Sequence, residues 1–303
     1  MIKKFFLFFI FVFGFVHAEM QNHYVLGTNG LNSAVKLPGF NLAGIYTHYK
    51  ANRLKNSKGK NVTVNGQRVK GHVTYDYVQL IGAYYSDRCF LGGKYGFMVD
   101  IPFVNNSLEF AVLNQSLNLG KSPLRLSDIY LEPINLRWQI KGLYIFTAAG
   151  VFFPSGKFRY LSPHNSGLGN YGIMGTLAAT YFFDCEKTWS LSFYATYEKH
   201  FKKRRVDFYP GDNLCVDWGI GKSFGLINVG IVGYIERQTT NDHGSAVPQF
   251  AKRNRDRVYA VGPEIDILVP QLNGIIIFRY EREFKAALRT QGESYITEAA
   301  LVF

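Results

Sequence analysis

The nine residues Tyr295-Ile296-Thr297-Glu298-Ala299-Ala300-Leu301-Val302-Phe303 decide how this chain is read. Tyr295, Thr297, Ala299, Leu301 and Phe303 fall on one face at the two-residue period of a β-strand, and the run ends on an aromatic ring. At the other end stands MIKKFFLFFIFVFGFVHA, residues 1–18. Lys3 and Lys4 give a positive start, and Phe5 to Phe15 form an apolar stretch too short to span a bilayer as a helix. Val16-His17-Ala18 offers a small-residue cleavage pattern, so the expected mature chain begins at Glu19. A secretory signal followed by a terminal amphipathic strand predicts a chain exported to the bacterial outer membrane and closed there as a β-barrel.

Composition agrees with that solvent. No stretch has eighteen consecutive apolar residues, which excludes a helical span. Aromatics are 16% of the chain, almost all Tyr and Phe, and 30 residues are Gly. Rings suit the two interfacial girdles of a barrel. The charge is +12, and losing Lys3 and Lys4 with the signal leaves 32 basic against 22 acidic residues, a net of +10. An exported chain is not expected to bind nucleic acid, so outer-leaflet lipid and lipopolysaccharide phosphates are the expected counter-charge. Cys89, Cys185 and Cys215 are too far apart around such a wall to form a disulfide, and their spacing matches no zinc pattern.

Twelve runs with period-two alternation lie between turn residues, at about 39–50, 72–86, 89–103, 128–140, 142–153, 169–183, 188–201, 213–224, 226–239, 256–269, 272–284 and 292–303. Short connections are expected at Ser86 to Cys89, Lys141-Gly142, Asp184 to Lys187, Phe224-Gly225 and Pro270-Gln271. Longer ones are expected at 51–71, 104–127, 154–168, 202–212, 240–255 and 285–291. Short periplasmic turns alternating with longer outer loops are the habit of these barrels. The expected fold is therefore all-β: a transmembrane antiparallel barrel of about twelve strands over 38–303. Fourteen is the alternative, because 104–127 alternates enough to be a hairpin of its own. Pro133 lacks a ladder donor and predicts a bulge. Residues 19–37 either fold into the lumen as a small plug, with Gly27, Gly30 and Ser33 permitting tight turns, or hang in the periplasm.

The strands have two faces. Ile276, Phe278 and Tyr280 oppose Arg279, Glu281 and Glu283, and Ile227, Ile231 and Ile235 oppose Tyr234, Glu236 and Gln238. Trp189, Phe193 and Tyr197 oppose Ser190, Ser192, Thr196, Glu198 and His200. An Arg or Lys on the lipid face at mid-membrane costs about 2–4 kcal/mol, so the charged side faces the lumen. The lumen-lining candidates are Arg137, Asp217, Glu236, Glu264, Asp266, Arg279, Glu281 and Glu283. Basic residues cluster in the long loops, and the surface phosphate-binding candidates are Lys55, Lys58, Lys60, Lys203, Arg204, Arg205, Arg253 and Arg255. No His pairing, phosphate loop or nucleotide motif stands in a context that could use it, and no enzyme activity, metal or other cofactor is expected.

From Asp128 onward a series of short motifs follows in order: Asp128, Pro133 and Trp138 along one strand, then Pro154-Ser155-Gly156 and Asn165-Ser166-Gly167. Gly233-Tyr234, Gln238, Asp242-His243-Gly244, Gly262-Pro263, Glu283-Phe284 and Gly292 complete it. This series resembles the MetA-pathway phenol-degradation family of outer-membrane proteins. Pro-Ser-Gly stands where that family usually has Pro-Thr-Gly, and Val104 to Leu126 has no counterpart. The resemblance implies a barrel akin to hydrophobic-compound channels such as the fatty-acid transporter. It makes Asp128, Pro154, Gly156, Asn165, Gly167, Gln238, Asp242 and Gly244 candidate loop residues, for substrate contact or for turn structure alone.

The expected function is a channel for small, hydrophobic or aromatic solutes. The alternatives are a structural or surface-interaction barrel and, more remotely, a barrel lipid hydrolase. Phe303 is expected to engage the barrel-assembly machinery. An aromatic path through the lumen would favour transport, and a fully paired polar core would favour a scaffold.

Overall fold

Alternating faces need partners on both edges, and the chain supplies them by closing on itself. A computed structural model describes residues 22–64, 66–112, 115–249 and 252–303, so the expected signal peptide and its cleavage point lie outside the described residues. The strands are β1 (Gly39–Leu54), β2 (Thr63–Val64), β3 (Gln67–Arg68), β4 (Lys70–Phe90), β5 (Gly93–Val112), β6 (Gln115–Lys121), β7 (Arg125–Leu126) and β8 (Ile129–Ile140). They continue as β9 (Leu143–Phe153), β10 (Gly172–Phe182), β11 (Trp189–His200), β12 (Asn213–Phe224), β13 (Ile227–Gln238), β14 (Arg257–Val269), β15 (Gly274–Ala287) and β16 (Thr290–Val302).

Twelve of these, β1, β4, β5 and β8 to β16, form a closed antiparallel barrel. β16 closes it against β1, with Asn41 opposite Val302 and Lys50 opposite Glu293. At the seam Phe40 and Phe303 exchange backbone hydrogen bonds of 3.0 and 2.8 Å. The alternation sets the faces: Ile231, Phe278, Phe193 and Leu177 are exposed to the lipid side, while Glu236, Arg279, Glu281 and Ser192 are buried. We orient the barrel by its connections, the short turns being periplasmic and the long loops external.

Most departures from the expected boundaries are at the outer end. β4 and β5 run for 21 and 20 residues, against about 9–11 needed to cross the hydrocarbon. They carry the wall beyond the membrane, where Leu54, Val62, Val69, Val73, Val104, Leu108 and Phe110 form a separate apolar core. The expected loop 104–127 is instead an extension of β5 that turns back as β6 and β7, both paired only to β5. The hairpin thus exists without adding staves to the barrel. The expected loop 285–291 shrinks to Leu288 and Arg289, with Leu288 at φ 59°. The expected turn at Ser86 to Cys89 lies within β4, and the chain reverses at Leu91-Gly92. Pro133 sits where the β8 register shifts against β9, between Leu131 and Ile134. Cys89, Cys185 and Cys215 are all free thiols.

Candidate functional site

The lumen has two unlike walls. Strands β12 to β15 send in Asp217, Glu236, Glu264, Asp266, Arg279, Glu281 and Glu283, and all seven are buried, as is Arg137 on β8. Glu264 and Arg279 are register partners on neighbouring strands and form an ion pair. Glu236 pairs with Arg289 from the tight outer turn, and Asp266 accepts a 3.3 Å hydrogen bond from Asn228. Glu283 accepts from the Tyr234 hydroxyl at 2.9 Å, the Tyr49 hydroxyl at 3.0 Å and the Gly292 amide at 2.6 Å.

Much of this wall is bonded to residues 22–37. The Tyr24 hydroxyl donates to Asp217 at 2.6 Å, and the amides of Gly27 and Asn29 donate to the same carboxylate at 3.3 and 3.1 Å. Arg279 donates to the Gly27 carbonyl, and Leu31 donates to Glu264 at 2.8 Å. Lower down, Ala34 donates to the Thr180 hydroxyl at 3.1 Å and Arg137 donates to the Lys36 carbonyl. The segment therefore threads the lumen, with His23 near the outer mouth and Lys36 toward the periplasm. Gly27 takes a left-handed φ of 73°, and a Cβ there would collide with the Glu281 carboxylate. Burial pushes the Lys36 ammonium below its usual pKa, against the pull of Glu298 and Glu132.

The opposite wall is aromatic. Tyr85 (β4), Tyr130 (β8), Phe146 and Phe152 (β9), Met174 (β10) and Tyr194 (β11) are buried, and Tyr24, Ala34 and Met98 pack with them. Along this wall and around the segment lies a cavity of about 970 Å³, whose lining runs from His23 and Phe152 down to Lys187, Ser223, Pro270 and Phe303 at the periplasmic rim. That volume lies at the upper end of small-molecule sites, which are commonly apolar with a few polar groups. Lys36 places its ammonium 5.5 Å from the Phe146 ring and 5.8 Å from the Tyr194 ring.

The outer mouth is roofed by loops, and the motif residues fasten them. Asp128 accepts from the Gly156 amide at 2.9 Å and from the Leu168 amide at 2.6 Å. Gly156 and Gly167 are in such close contact that a Cβ on Gly156 would lie 2.7 Å from the Gly167 Cα. Asn165 folds the same loop by exchanging hydrogen bonds of 2.8 and 3.0 Å with the Arg159 backbone. Pro154 accepts from Arg204 of the next loop. Gln238 donates to Asp242 at 2.7 Å, and Asp242 also accepts from Gly211 at 2.8 Å. Gly244, at φ 116°, sits against the Asp207 carbonyl. The Tyr160 hydroxyl donates to Ala246 at 3.0 Å, while His164 reaches Leu119 of β6 at 2.6 Å. Residues 154–171 thus bridge the mouth from the β5–β6 hairpin to the loop before β14.

Of the basic candidates, Lys58, Lys60, Arg204, Arg205, Arg253 and Arg255 are exposed and Lys55 is half-buried. Lys203 is not on the surface: it is buried, with its ammonium 5.3 Å from the Phe158 ring and 5.5 Å from the Phe208 ring. Burial lowers its pKa to about 8, against the attraction of Asp242 and Asp128. Sequence reasoning placed Glu198 and His200 on the inward face but not their partner. His23 reaches both Glu198 and Asp128, 3.3 Å from the latter. Burial opposes charge on this imidazole, yet Glu198 and Asp128 outweigh it and raise the pKa to about 9. Glu132, Asp100 and Arg289 also went unnamed, though Glu132 is fully buried beside Asn135 and Tyr130.

Residues 51–297 match the family described as "Putative MetA-pathway of phenol degradation". No curated protein matches the chain. Among solved structures, the COG4313 outer membrane channel from Pseudomonas putida F1 superposes with a TM-score of 0.71 at 10% identity, covering 93% of this chain and 100% of that one. A FadL homologue from Pseudomonas aeruginosa gives a TM-score of 0.41 at 9% identity, over 90% of this chain and 91% of that one. The translocator domain of the autotransporter NalP from Neisseria meningitidis gives 0.46 at 11%, over 88% and 90%. The first likeness establishes a shared fold; the other two are too distant to add to it.

Proposed function

Because the chain belongs to the MetA-pathway phenol-degradation family and folds as a closed twelve-strand barrel, we propose that it is an outer-membrane channel for small apolar, chiefly aromatic, molecules. The observation that carries this reading is the cavity of about 970 Å³ set against an aromatic wall. Rings such as Tyr85, Tyr130, Phe152 and Tyr194 offer offset and edge-on contacts to a flat apolar guest, each worth about 0.5–1.5 kcal/mol beyond the area buried. Residues 22–37 are the movable part: they are held to the carboxylate wall by hydrogen bonds, three of them to Asp217, which water can replace as the segment shifts. The Arg279–Glu264 pair remains as wall when the segment leaves. The exposed cluster of Lys58, Lys60, Arg253 and Arg255 anchors the rim to lipopolysaccharide phosphates.

A closed structural barrel is the second reading, favoured by the bridged outer loops and the bonded carboxylate wall. Ligand binding separates the two. Titration of the full-length barrel in detergent with p-cresol and toluene, followed by tyrosine fluorescence, should saturate, and Phe152→Ala with Tyr194→Ala should weaken binding about tenfold or more. Linear, non-saturable quenching that ignores both substitutions would favour the structural barrel.

A further inference from the structure

Three ligand-type atoms converge beneath the outer loops: His23 Nδ1 from the N-terminal segment, with Glu198 Oε1 and His200 Nδ1 from β11. All lie within 4.8 Å of one another. Their side chains are almost sealed from solvent, at 2%, 1% and 0% exposure. Asp128 Oδ2 lies 3.3 Å from His23 Nε2, while Glu198 Oε1 touches Nδ1. In the neutral ring that keeps its proton on Nε2 for Asp128, Nδ1 turns a lone pair toward the Glu198 carboxylate, an arrangement that a cation between the two would satisfy. The Asn170 amide nitrogen lies 3.3 Å from His200 Nδ1, which again calls for a lone pair there. The other nitrogen, Nε2, must then carry a proton, yet it faces the Asn213 amide nitrogen at 3.4 Å while the Asn213 oxygen is buried without a partner. Turning over the Asn213 amide, whose oxygen and nitrogen are interchangeable in shape, makes that oxygen the acceptor of Nε2–H. Both imidazoles are thereby oriented from behind, one by a carboxylate and one by an amide. This is the outer shell that metal-binding histidines have.

Two imidazole lone pairs and a carboxylate oxygen then face one point in a dry setting. A proton there satisfies one pair of these acceptors, whereas a divalent ion satisfies all three. We propose that His23, Glu198 and His200 form a binding site for a divalent transition metal, with zinc the ion its two nitrogens and one oxygen suit best. Tetrahedral zinc at about 2.0 Å from each ligand sets donors about 3.3 Å apart. Glu198 and His200 are already 3.4 Å apart, while His23 and Glu198 are in hydrogen-bond contact and must part to admit the ion. The fourth position falls to water. His23 is the segment's contribution, so the ion ties residues 22–37 to the barrel wall. That consequence rests on the channel reading, but the site does not.

The test uses untagged full-length protein, refolded in detergent and stripped with chelator, and it involves no conductance. Zinc added in a calorimeter should bind at one ion per barrel, and Co²⁺ should give visible bands of tetrahedral ligation. His23→Ala and His200→Ala should each weaken zinc binding at least about tenfold, while His164→Ala, on an outer loop, should leave it unchanged. His23 lies outside the barrel wall, so heat-modifiable mobility of His23→Ala reports whether the barrel is intact. An intact His23→Ala barrel that binds zinc as wild type does, or a folded wild type that binds neither ion, overturns the site and leaves a protonated His23 as the only occupant.

Discussion

Asp128 shows how much one side chain holds in this fold. It accepts from two loop amides and faces His23. Asp128→Ala should leave the Gly156 and Leu168 amides without an acceptor, at about 1–3 kcal/mol each. Protease cleavage within 154–171 on intact cells should accelerate, and an unchanged rate would show that the roof is held elsewhere. Lys203 gives a pH test. Its folded pKa of about 8 lies below the ordinary lysine value of 10.5. Between the two the open loop binds more protons than the closed one, so closure strengthens as pH rises through that window. Cleavage at 202–205 should therefore slow from pH 8 to 10, and Lys203→Met should remove the dependence. Lys203 was not legible in the sequence because a run of four basic residues reads as solvated. Its burial is decided by Phe158 and Phe208, which no local pattern brings to it. Arg279, Glu281 and Glu283 were legible because two-residue alternation and the cost of charge in lipid leave them one direction to point.

At the scale of elements, alternation located all twelve staves, since each must present a lipid face. It could not locate their outer ends, because β4 and β5 keep alternating beyond the membrane around a second apolar core. Nor could it place residues 22–37, which have no period; their position is set by Asp217, Glu264 and Arg279, some two hundred residues away. Gly30, like Gly27, fits tightly against the carboxylate wall. A Cβ there would collide with the Glu264 carboxylate and lie 2.7 Å from an Arg279 nitrogen. Gly30→Val should dislodge the segment without touching the wall, raising uptake of p-cresol into proteoliposomes several-fold while heat-modifiable mobility stays normal. Uptake equal to wild type would mean that the segment does not govern passage. For Phe303, at the β1–β16 seam, the proposed role is in assembly instead: its deletion should lower the yield of folded barrel, and a normal yield would dismiss that role.

The whole molecule divides its tasks by sector. Strands β12 to β15 form a charged wall that holds the segment, β8 to β11 with β4 form an aromatic wall beside the cavity, and the outer loops form a roof. The central claim is that residues 22–37 close a conduit which the barrel otherwise provides. Planar-bilayer conductance tests it most directly, comparing the full-length protein with a variant lacking residues 22–36. The account predicts small or rare openings for the full-length barrel and a steady, several-fold larger conductance for the variant, partly blocked by p-cresol. Equal conductance in the two, with the variant shown to be folded, would contradict it.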